Sequence, residues 1–206
     1  MKDYFSLLGE PRRPWIDTAE LKSRFLAGSA ATHPDRLHQA ARTEKEAATS
    51  RAADLNAAYQ CLRDPRSRLR HLLELERGDR ILESPELPAS VIEFFSEVHQ
   101  VLKAVDAALA EKSVAATAIR KAQLFEQMLP LLDRLRAAQT KIQTRLQELD
   151  QRMLQLNLAW ESAPPPGSPL RVNMLPCSRL EHLHHELSFL QRWNQQLHER
   201  AVQLSL

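Results

Sequence analysis

Glycine is scarce in this chain, with four in 206 residues, roughly 2% against a usual ~7%. So few turn-formers argue against a sheet-rich fold, and no glycine-rich run is present to cradle a phosphate. Cysteine is scarcer still, with Cys61 and Cys177 alone. They form neither a CxxC pair nor a disulfide framework, so a reducing cytoplasm is the expected compartment. An excess of one charge is also missing, because 28 Lys and Arg stand against 26 Asp and Glu, a formal +2. Coating a polyanion needs clustered, uncompensated cations, so nucleic acid is not an expected partner. The apolar runs fall far short of a bilayer-spanning length, so no membrane partner is expected either. Met1-Lys2-Asp3 runs straight into a patterned segment, and no leader is expected.

What is present is helical periodicity. Met1 to about Leu75 reads as four short helices. Asp17-Thr18-Ala19-Glu20 offers a capping residue and a first-turn acid. Leu21, Phe25 and Ala30 or Ala31 then supply an apolar stripe. His33-Pro34 ends that helix, because proline holds the preceding residue extended. The next helix, about Glu44 to Leu62, carries Ala48, Ala52, Leu55, Tyr59 and Leu62 on one face. Asp64-Pro65 stops it and starts another, with Leu69, Leu72, Leu73 and Leu75. The expected division is residues 1–76, a linker at 77–88, and a three-helix bundle at 89–206. The three helices are about Ala89–Glu111, Val114–Trp160 and Cys177–Leu204, with Pro130 expected to kink or break the second near Met128. Ile142, Leu146, Leu149, Met153, Leu156 and Trp160 are spaced like a heptad seam. The Pro-rich stretch at 163–169 must be an extended loop. The expected fold class is all-α.

His33-Pro34-Asp35 falls in the loop between two antiparallel helices. Proline fixes the backbone there, so an imidazole and a carboxylate are presented rigidly to solvent. With Tyr4-Phe5, Leu8-Gly9, Asn56-Ala57-Ala58-Tyr59, Leu62, Asp64-Pro65 and Arg68, the segment resembles a J domain, the DnaJ-type module. The opening Tyr4-Phe5-Ser6-Leu7-Leu8-Gly9, the long stretch from Asp35 to Asn56, Leu69 to Leu75, and Leu187-Ser188-Phe189-Leu190 near the end are similar to the HscB-type co-chaperones of iron–sulfur cluster assembly. The resemblance covers nearly the whole chain and is less specific after residue 90.

The resemblance implies a non-enzymatic adaptor without a cofactor, a monomer or weak dimer. Its J domain would stimulate a DnaK/HscA-type ATPase chaperone through His33, Pro34 and Asp35. Its bundle would hold an IscU-type iron–sulfur scaffold protein through an apolar patch on the first and last bundle helices. Phe189 matches that patch, with Ile92, Phe95, Glu97 and Val98 as candidates on the first helix and Phe94 and His99 beside them. Basic residues expected just before the HPD are replaced by the nearly neutral Gly28-Ser29-Ala30-Ala31-Thr32. Docking on the chaperone must then lean on Lys22, Arg24 and Arg36. The acidic fringe expected on the client helix is thin, with His99 and Gln100 among its members.

Other patterns carry less. His182, His185 and Glu186 share a helical face at a spacing that can chelate zinc, but no fourth ligand is signalled. A solvated polar face is the expectation, with no metal, and Cys61 is expected to be a small buried residue. No nucleophile motif marks an enzyme. Two alternatives remain: a DnaJ-like co-chaperone with a different client, and a coiled-coil scaffold with a vestigial HPD, self-associating through Ile142 to Trp160.

Overall fold

A computed structural model describes residues 1–31, 42–81, 88–114 and 117–205. Among them all regular structure is helical. The α-helices are α1 (Tyr4–Leu7), α2 (Thr18–Ala31), α3 (Arg42–Arg63), α4 (Pro65–Arg77), α5 (Ile92–Val114), α6 (Ala118–Glu161), α7 (Arg171–Met174) and α8 (Cys177–Ser205), and a 3-10 turn at Ala89–Val91 leads into α5. The chain divides into two compact units. One joins Met1–Leu82 with Gln151–His184, and the other joins Glu83–Asp150 with His185–Leu206. The sequence division follows chain order, whereas packing assigns residues 151–184 to the first unit.

Local chemistry starts the helices of the first unit. The Asp3 carboxylate accepts from the Phe5 and Ser6 amides at 3.0 and 3.2 Å, capping α1. Asp17 does the same for α2, accepting from Ala19 and Glu20 at 2.7 and 3.1 Å. Asp64 accepts from the Ser67 amide at 2.9 Å with Pro65 in the first turn of α4. Gly78 closes α4 at φ +80°, a left-handed C-cap that favours glycine. Phe5, Leu21, Ala58, Leu62, Leu69, Leu72 and Leu73 are fully buried, and each large one contributes about 1.5–3 kcal/mol relative to exposure. Arg68 is buried with them and donates to the Pro14 and Leu62 carbonyls, both at 2.7 Å.

The α3 stripe is as the sequence predicts, with Leu55 and Leu62 buried and Ala48, Ala52 and Tyr59 half-buried. The α2 stripe is not. Ala30 and Ala31 are exposed, and the inward line runs Leu21, Phe25, Gly28. Gly28 faces α3 closely, since a Cβ there would come into van der Waals contact with Leu55 Cδ1 at 3.4 Å.

Residues 151–184 complete this unit through polar contacts. Asn157 accepts from the Trp15 amide at 2.9 Å and donates to its carbonyl at 3.0 Å. Arg171, 4% exposed, binds Glu76 bidentately at 2.8 and 2.9 Å and also donates to the Pro164 carbonyl, so the Pro-rich loop is fastened to the end of α4. Arg77 meets Glu181 at 3.0 Å.

The second unit packs α5, the first part of α6 and the last part of α8. Its core comprises Val91, Val98, Val101 and Val105, then Leu124, Met128, Leu135, Ala138, Ile142 and Leu149, then Leu187, Leu190, Trp193, Leu197 and Leu204. Lys141–Glu97 (2.8 Å), Arg145–Glu186 (2.6 Å) and Arg200–Asp106 (2.6 Å) tie the helices at the edge. Pro130 does not break α6, which runs unbroken through it. An interior proline costs about 3 kcal/mol, and burial of Met128 and Leu135 on either side offsets it. The heptad seam faces inward within the single chain: Ile142, Leu149, Met153 and Trp160 are buried, and Leu146 and Leu156 are half-buried. A coiled coil through that seam would have little surface to use.

Candidate functional site

Two surfaces hold the residues singled out from the sequence. The first is the α2–α3 hairpin. Phe25 stacks on Tyr59 at 4.4 Å and Gly28 lies against Leu55. As α2 advances its partner number on α3 falls, so the two helices are antiparallel, and the His33-Pro34-Asp35 tripeptide lies between them in sequence. His33, Pro34, Asp35 and Arg36 lie outside the described residues. Lys22 is exposed on α2. Arg24 is engaged within its own unit. Its Nε sits 3.0 Å from the fully buried Glu10 carboxylate, and its guanidinium donates to the Gly9 carbonyl. That bond fastens α2 to the connection before it and lessens what Arg24 can offer a partner.

The second surface is in the second unit, on α5 and α8. Ile92 and Phe95 are 54% and 47% exposed, high values for large apolar side chains. Phe189 is half-buried. Trp193 joins them, with ring centroids 6.1 Å from Phe95 and 5.8 Å from Phe189, both tilted. His99 stacks on Phe95 at 5.8 Å, and the Arg192 guanidinium lies 5.6 Å from the Phe189 ring centroid. Ile92, Phe95 and Phe189 thus share one face. Val98 does not belong to it. At 2% exposure it is core, on the buried line of Val91, Val101 and Val105. Glu97 is half-buried, with both carboxylate oxygens on Lys141 at 2.8 and 2.9 Å. Sequence reasoning missed Trp193 and Arg192, although the i,i+4 and i,i+3 spacings from Phe189 point to them.

The polar stretch on α8 is less solvated than expected. His184 and Glu186 are buried, and Glu186 is held by Arg145. His182 is exposed with Nδ1 2.7 Å from the Ser178 carbonyl. Cys61 is half-buried rather than buried, its thiol 3.6 Å from the Ser67 carbonyl. Burial, with Asp64 and Glu74 nearby, pushes that thiol up to about 11. In the first unit His71 Nε2 accepts the Tyr4 amide at 3.2 Å and its ring lies 4.6 Å from that of Tyr4. Burial lowers its pKa, against the pull of Asp3 and Glu74.

No family model matches the chain. A co-chaperone protein HscB homolog of Chromobacterium violaceum is 41% identical over 78 residues, 38% of this chain and 45% of that protein. The co-chaperone protein HscB of Proteus mirabilis is 42% identical over 77 residues, 37% of this chain and 44% of that protein. The matching segment therefore spans less than half the length of these curated relatives. Among solved structures, chaperone HscB from Vibrio cholerae superimposes with a TM-score of 0.61 at 22% identity, covering 98% of this chain and 99% of that one. Human co-chaperone protein HscB gives 0.59 at 22% identity, covering 98% and 81%. The fold, four N-terminal helices followed by longer helices, is the fold of these solved HscB structures. The chain is thus similar to HscB proteins by sequence over the matching segment and by fold over nearly its whole length.

Proposed function

We propose that this chain is a co-chaperone of iron–sulfur cluster assembly. It stimulates the ATPase of a DnaK/HscA-type chaperone and delivers an IscU-type scaffold protein to it, in the cytoplasm and as a monomer or weak dimer. The observation that carries the reading is the His33-Pro34-Asp35 tripeptide between two antiparallel packed helices, in a chain with a segment 41% identical to an HscB homolog. His33, Pro34 and Asp35 would act on the chaperone, with Lys22 and Arg36 supplying charge and Arg24 the adjoining fold. Ile92, Phe95 and Phe189, with Trp193 beneath them, would bind the scaffold. Residues 1–76 would be the J domain and 89–206 the client-binding part, completed by packing 151–184 on the former. Carrying trigger and client on one chain raises the effective concentration of each at the chaperone, with no chemistry needed from the adaptor.

The test is single-turnover ATP hydrolysis by the host's DnaK-type chaperones with this protein added, with and without the scaffold. The expected result is stimulation that becomes synergistic with scaffold and disappears in His33→Gln while helicity is retained. Stimulation without synergy would point to another client, and full stimulation by His33→Gln would overturn the J-domain mechanism.

A further inference from the structure

The aromatic face of the second unit is bordered by one guanidinium and one imidazole, and its described carboxylates, Glu97 and Glu186, are paired. Arg192 is exposed and lies over Phe189, and His99 is exposed and stacks on Phe95. On the α5 side Glu97 is bound at both oxygens by Lys141, and on the α8 side Glu186 is buried against Arg145. A segment docking here would bury its apolar side chains on Ile92, Phe95 and Phe189 and meet positive charge at the edge. Basic flanks would face Arg192, with the described carboxylates Glu97 and Glu186 already engaged, and carboxylate flanks would be drawn in.

We infer that this face selects a client segment whose apolar residues are flanked by carboxylates, and that Arg192 is the specificity-determining residue. The inference rests on the reading of this face as the client surface and adds the charge of the segment that it takes. Arg192 holds its position through the Phe189 ring, so the same aromatic group that contacts the client also aims the cation. Edge charges of this kind set partner choice and salt dependence more than total affinity.

The experiment is calorimetric titration of the full chain with the host's IscU-type scaffold at 50 and 300 mM NaCl, for the wild type, Arg192→Glu and Phe189→Ala. Binding is expected to weaken with salt, and Arg192→Glu should raise Kd about five- to tenfold at low salt with much less effect at high salt. Phe189→Ala should weaken binding at both concentrations. Glu93→Gln controls for the acid that the sequence places beside Ile92, and should leave the preference in place. An Arg192→Glu variant that binds as well as or better than wild type, while Phe189→Ala is impaired, overturns the charge inference and leaves the client surface standing. A wild type that does not bind the scaffold, or a Phe189→Ala variant indistinguishable from it, overturns the client reading and this inference with it.

Discussion

Arg171 and Glu76 form a two-point ion pair in the interior of the first unit, 95 residues apart in sequence and both nearly inaccessible to water. Both guanidinium–carboxylate contacts are short, and the Pro164 carbonyl takes a further donor. Arg12 stands 3.8 Å from the same carboxylate.

Removing Arg171 takes both short contacts from the buried Glu76 carboxylate and leaves it only Arg12 at 3.8 Å. Arg171→Leu should therefore lower unfolding free energy by about 3–5 kcal/mol, read from urea denaturation. The double variant Arg171→Leu/Glu76→Leu should recover a large part of that loss. A single variant as stable as wild type would show that the pair carries no stability.

His71 gives the first unit a pH dependence. Its Nε2 accepts a backbone hydrogen bond, which requires the neutral ring, and burial holds its pKa below the ordinary value. The unfolded chain then binds a proton more readily, so this contribution is present above about pH 6.5 and is lost as pH falls through the lower folded pKa. Urea midpoints at pH 7.5, 6.5 and 5.5 should fall more steeply for the wild type than for His71→Gln, which keeps an acceptor and does not titrate. Equal slopes would remove His71 from the account.

Phe95 and Trp193 touch, but they should respond differently to truncation. Phe95 is 47% exposed and Trp193 only 7%. Trp193→Ala should cost about 3–5 kcal/mol of stability as a core deletion. Phe95→Ala should cost about 1 kcal/mol or less, in keeping with surface positions, and should show its effect in scaffold binding. Circular dichroism melts beside binding titrations separate the two, and a large stability loss in Phe95→Ala would reassign it to the core.

Cys61 should be a slow thiol. With its pKa pushed up to about 11, its thiolate population at pH 8 lies ~100-fold or more below that of an ordinary cysteine near 8.5. Maleimide labelling followed by peptide mass spectrometry should show correspondingly slow modification of Cys61 in the folded chain. Labelling at the rate of a free thiol would contradict this.

The helix boundaries were legible because their causes are local. Asp17, Asp64-Pro65 and the α3 stripe act through neighbours within one or two turns. The Phe189 face was half legible. Apolar identity at helical spacing does not separate the inward Val98 from the outward Phe95, since the choice is made by what α5 packs against. The pairing of Asn157 with Trp15 and of Arg171 with Glu76 left no trace in the sequence pattern. A polar residue that finds its partner 95 or 142 positions away looks locally like any other surface residue.

That discontinuity bears on how the chain is made. Met1–Leu82 leaves the ribosome about 100 residues ahead of the end of Gln151–His184, and translation at ~5–20 residues per second separates the two by about 5–20 s. During that interval the nascent N-terminal helices can close on their leucines, but the Trp15 backbone and the Glu76 carboxylate still face water. The early folded form is thus an unfinished one, with Glu76 awaiting the arginine that will cover it.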